Sequence, residues 1–148
     1  MKTDKQKIDA WDLLDILDEQ SIIACKNEIN SRICLLGFCN TIKDKMPLIA
    51  INSLKVLETY IKKQASKEDL KKETIKLWGY YEKENDKTKQ DSIRAVISAL
   101  SLWTEDYEVF DSIKYCMDYC SSVAKCEFDD DLYFILKENL KGSIQNEK

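Results

Sequence analysis

The chain has 148 residues, a mass of 17.3 kDa and a formal net charge of -4, a length that fits one domain. Its 44% hydrophobic and 34% charged residues describe a globular chain and not a disordered one. Only 3 Gly and 1 Pro leave little room for an all-β domain, and the absence of His excludes imidazole as base, proton shuttle or metal ligand.

Apolar residues recur at helical spacing almost throughout. The spacing predicts a first helix over about 8–18, with Ala10, Leu13, Leu14 and Leu17 inward. A second is expected over about 21–41, N-capped by Ser21, with Ile22, Cys25, Ile29, Ile33 and Leu36 on its buried face. Gly37 falls inside this helix and suits close packing against another. Pro47 opens a third helix, where its missing N–H costs nothing, and Leu48, Ile51, Leu54 and Tyr60 or Ile61 follow inward. Ser66, with the early acids Glu68 and Asp69, starts a fourth, whose inner face is Leu70, Thr74, Leu77 and Tyr81. Residues 82–90 are polar and read as a linker-like connection. A fifth helix over about 88–103 turns Ile93, Val96, Ile97 and Leu100 inward. Thr104-Glu105-Asp106 begins a sixth, which runs to about Ala124 with Tyr107, Phe110, Ile113, Met117 and Cys120 inward. Asp129 is expected to cap a seventh, with Leu132, Ile135, Leu136 and Leu140 inward and Gly142 as its stop.

These elements predict an all-α, single-domain bundle of about seven antiparallel helices joined by short connections. The third to sixth helices read as two successive pairs, a hint of helical-repeat packing without self-similarity at a fixed period. The N-terminus, Met1 to Lys7, lacks the apolar core of a secretory leader. The longest apolar stretch, Ile33 to Cys39, is far shorter than the ~20 residues that span a bilayer. A cytoplasmic protein is therefore expected, its cysteines reduced.

Chemistry-bearing patterns are sparse. Of six cysteines, Cys116, Cys120 and Cys126 lie close in sequence, and three thiolates plus a carboxylate can hold zinc in principle. There is no C-x-x-C pair and no His, so the thiols are read as core packing, with no metal and no cofactor. Histidine-dependent nucleophilic sites are excluded. Gly37, Gly79 and Gly142 are isolated, which excludes a Gly-rich phosphate loop. No catalytic residues are assigned. The lysines at 62, 63, 67, 71, 72 and 76 are interleaved with Glu68, Asp69 and Glu73, the pattern of a solvated helix face and not of a nucleic-acid site.

The acidic segments carry more information. Residues 43–89 hold 12 basic and 8 acidic side chains, whereas residues 90–148 hold 6 and 12. In the sixth helix Glu108, Asp111, Tyr115, Asp118 and Tyr119 recur at steps of three and four, and in the first helix Trp11, Asp15 and Asp18 do the same. Aromatic anchors among carboxylates suit a protein interface: the rings supply buried contact, and the acids speed encounter with a basic target. The bland alternative is a solvated face with half-buried rings.

The order of segments adds a resemblance. Leu48-Ile49-Ala50-Ile51-Asn52-Ser53-Leu54-Lys55-Val56-Leu57-Glu58-Thr59-Tyr60 is followed by Ser66-Lys67-Glu68-Asp69-Leu70, then by Ser92-Ile93-Arg94-Ala95-Val96-Ile97-Ser98-Ala99-Leu100. Over roughly residues 33–124 this resembles the helical immunity proteins of bacterial polymorphic toxin systems, in particular the fifth immunity-protein family. The resemblance implies a non-catalytic protein that binds one cognate toxin and masks its active or binding surface, and it carries no site residues. A basic nuclease is a toxin class that fits an acidic binder. A helical scaffold or regulatory adaptor for another cellular protein would show the same stripes.

Overall fold

The computed structural model describes the backbone over residues 8–145 and side chains over 8–140; the N-terminal reading of Met1 to Lys7 lies outside these. Seven α-helices and no strand occur among the described residues: α1 (Ala10–Glu19), α2 (Glu28–Thr41), α3 (Leu48–Ile61), α4 (Lys67–Lys83), α5 (Lys87–Leu100), α6 (Asp106–Ala124) and α7 (Asp129–Gln145). Short 3-10 turns, Cys25–Asn27 and Lys43–Lys45, precede α2 and α3. The all-α bundle expected from the spacing is thus what forms. No helix among the described residues is long and apolar enough to cross a membrane.

Most helix starts are set by side chains that satisfy the free N–H groups of the first turn. Asp9 and Asp12 form a reciprocal capping box at α1, and Ser66 and Asp69 form one at α4. Asp86 accepts from the Lys89 N–H at α5. Because that cap acts so early, the polar connection expected over 82–90 shrinks to residues 84–86. Helix α5 stops at Leu100, and Trp103 is buried outside it.

Three expectations about ends are corrected. Ser21 caps nothing: its φ of 60 places it in the turn that ends α1, and the chain passes through buried Ile22, Ile23 and Ala24 before α2 begins at Glu28. Asp129 is the first residue of α7 and not its cap, and its buried Oδ1 has no hydrogen-bond partner. Gly142 does not stop α7, which continues to Gln145. Between α6 and α7 two successive non-glycine residues, Lys125 (φ 54) and Cys126 (φ 68), are left-handed.

Helix α2 sits at the centre, against α3, α5, α6 and α7; α1 lies on α7 and α6, and α4 lies outside α3 and α5. The buried side of α2 is Cys34, Leu35, Phe38 and Cys39, joined by Ser31 and Arg32, while Ile29, Ile33 and Leu36 are only half-buried. The expected face was therefore rotated from the true one. Gly37 does pack closely: a Cβ there would lie 3.0 Å from Ile135 Cγ2 of α7. On α3 the buried residues are Ala50, Ser53, Leu54 and Leu57, whereas Leu48 is exposed.

Candidate partner-binding surface

Two hydrogen bonds fix how α1 meets α6. Trp11 Nε1 donates to Asp118 Oδ1 at 2.8 Å, and the Cys25 N–H donates to Asp106 Oδ1 at 2.9 Å. The first lies near the start of α1 and midway along α6; the second lies beyond α1 and at the start of α6. The two helices therefore run antiparallel. The Trp11–Asp118 contact thus brings the helix that carries Asp15 and Asp18 against the helix that carries Asp111.

Trp11 is half-buried, Asp15, Asp18, Asp118 and Tyr115 are exposed, and Asp111 is half-buried. A cation among them is Lys114, 3.6 Å from Asp118 and with its Nζ 5.7 Å from the Tyr115 ring. Tyr107, expected inward, is 64% exposed and joins the outer face of α6, where Val109, Ser112 and Cys116 take the inward positions instead.

Two of the expected face residues have other work. Glu108 Oε1 accepts from the N–H groups of Thr104 and Glu105 and from the Thr104 hydroxyl, at 2.8 to 3.1 Å. It closes the first turn of α6, and the two backbone donors hold its pKa below the ordinary glutamate value. Tyr119 turns the other way. With Trp78 and Tyr81 of α4 it surrounds the Arg94 guanidinium, whose carbon lies 4.9, 5.5 and 5.0 Å from the Trp78, Tyr81 and Tyr119 ring centres. The sequence shows four of these residues but not that three helices bring them together.

A second aromatic cluster is internal. Arg32 is fully buried, its guanidinium 3.7 Å from the Trp103 ring centre and 5.7 Å from that of Tyr60. Its Nη2 pairs with Glu28 at 3.2 Å and its Nη1 donates to the Ala99 carbonyl at 2.9 Å. Burial lowers the Arg32 pKa while Glu28 pushes it back up. Burial and a hydrogen bond to Glu28 raise the Tyr60 phenol to about 12.

In one shallow groove the acids are already engaged. A groove of about 360 Å³ between α3 and α4 is lined by Lys55, Thr59, Gln64, Asp69, Lys72 and Glu73 among others. Asp69 belongs to the α4 capping box, and Glu73 holds the Ser53 hydroxyl at 2.8 Å and Lys76 at 3.1 Å. The sulfurs are also rearranged from the sequence expectation. Cys126 is exposed, with its sulfur accepting from the Ser121 hydroxyl at 3.5 Å, and Cys39 of α2 takes its place beside Cys116 and Cys120. A contact between residues 77 positions apart leaves no local spacing signal.

No protein-family model matches the chain, and neither do the curated proteins or solved structures compared with it.

Proposed function

We propose that this protein binds another protein through the α1/α6 face and acts as an immunity protein, masking the working surface of a cognate bacterial toxin. The observation that carries the reading is the Trp11–Asp118 hydrogen bond, which brings the helix bearing Asp15 and Asp18 against the one bearing Asp111 and Asp118. Trp11, Tyr107 and Tyr115 supply rings beside those carboxylates. Such a face offers an aromatic anchor within a negative field, and a basic toxin such as a nuclease is its natural complement. Inhibition is then steric and electrostatic, with no chemical step by this chain. The engagement of Asp69 and Glu73 in the α3/α4 groove supports the non-catalytic reading. Six free cysteines suit a reducing cytoplasm.

The test is co-expression with the product of the adjacent gene, followed by measured association of the purified pair. Rescue of growth is expected. Reversing charge at Asp15, Asp18 and Asp111 together, with the fold checked by circular dichroism, should slow association by about tenfold or more at low salt. An unchanged on-rate and affinity would remove this face from the reading. Tight binding to a protein that is not toxic would favour the adaptor reading instead.

A further inference from the structure

Cys39 on α2 and Cys116 and Cys120 on α6 bring three sulfurs within 4.8 Å of one another, with Cys39 Sγ and Cys116 Sγ 3.8 Å apart. All three are buried, at 0%, 0% and 1% exposure. Cys120 Sγ lies 3.4 Å from the Phe38 carbonyl oxygen, to which its S–H is placed to donate. We propose that Cys39, Cys116 and Cys120 form a three-sulfur site for one cuprous ion.

The geometry supplies the first reason. An ion bonded to three sulfurs at about 2.3 Å each occupies a triangle with sides of about 4 Å. The one measured separation, 3.8 Å, is close to that value and the others do not exceed 4.8 Å, so the sulfurs need only small side-chain shifts to close around the ion. The donor set supplies the second. Thiolates select soft ions, and structural zinc takes four ligands. The chain has no His. Cys34, also buried, is outside the trio and has its sulfur 3.9 Å from the Ile135 carbonyl; Cys126 faces solvent. Three sulfurs, with no carboxylate grouped with them among the described residues, suit Cu(I), which accepts low coordination, better than Zn(II). Each sulfur that coordinates as thiolate releases its proton to solvent, so uptake strengthens as pH rises.

The test uses the full chain with Cys25→Ser and Cys126→Ser, which removes the half-buried and exposed sulfurs. Cu(I) is added without oxygen against a colorimetric Cu(I) chelator, both to the native protein and during refolding from urea. One tightly held equivalent is expected, with thiolate-to-copper absorption in the near ultraviolet. Cys116→Ala in the same background should weaken binding by more than about 100-fold, since even outer-shell changes cost up to that much. Should Cys116→Ala fail to fold, alkylation of the parent chain in mild urea decides: bound copper should shield Cys39, Cys116 and Cys120 and leave Cys34 reactive. Failure to compete with the chelator by either route, binding unchanged in Cys116→Ala, shielding of another set of cysteines, or a preference for Zn(II) would each overturn the proposal.

Discussion

Arg32 is the largest of the fully buried side chains, and its position has a local cause. The last carbonyls of a helix have no partner within it. Ala99 is in the last turn of α5, and its carbonyl accepts from Arg32 Nη1. A positive charge at that end also opposes the negative end of the helix dipole. The flat guanidinium lies on Trp103, a contact an ammonium cannot reproduce. Arg32→Ala removes packing, the carbonyl's donor and the partner of Glu28 together. It should lower unfolding stability by about 3 kcal/mol, the lower end for breaking a buried pair, because Glu28 still reaches water. Urea denaturation followed by tryptophan fluorescence measures this. A loss below about 1 kcal/mol would show that the contacts are incidental. The sequence pattern gave no hint of this residue's depth, since a lone Arg in an amphipathic helix reads as solvent-facing.

Helices whose apolar residues fall on one side were legible. In α4 Leu70 and Leu77 are buried as expected, and in α7 Leu132, Leu136 and Leu140 are. Helix α2 was not, because neighbours on several sides bury most of its surface, so apolar spacing no longer selects a face. Gly37, read there as suited to close packing, does meet Ile135. Two effects oppose each other in Gly37→Ala. Replacing a helical glycine gains about 0.5–1 kcal/mol of backbone entropy, while the added methyl at 3.0 Å pushes against Ile135 Cγ2. The substitution should therefore stabilise the protein more in an Ile135→Ala background than in the native one. A double-mutant cycle of unfolding free energies reads the coupling, expected at about 0.5 kcal/mol or more. Strict additivity would mean that α7 shifts freely and that the close approach is unimportant.

Across the whole molecule, the fold class was readable from composition and period, but the face was readable only in part. The stripes of α1 and α6 were visible separately; the bond joining them spans 107 positions. That Glu108 caps α6 was hidden because a capping glutamate and a surface glutamate look alike in sequence. That Tyr119 flanks Arg94 was hidden because a stripe does not say which flank another helix covers. The net charge of -4 also understates the asymmetry between the basic middle segment and the acidic C-terminal one. If the α1/α6 face steers a basic partner, its association rate should fall steeply as ionic strength rises and the Debye length contracts to about 8 Å at physiological salt. The dissociation rate should change far less. Stopped-flow binding over a salt series tests this, and a flat on-rate would argue that rings alone make the encounter.

The bend joining α6 to α7 has a different kind of consequence. Lys125 and Cys126 both hold a backbone shape that L-residues resist by roughly 1–2 kcal/mol each, so the connection itself carries strain. Anyone seeking a hardier form of the molecule has an opening there: glycine at either site relieves a tension already present and touches neither the core nor the acidic side.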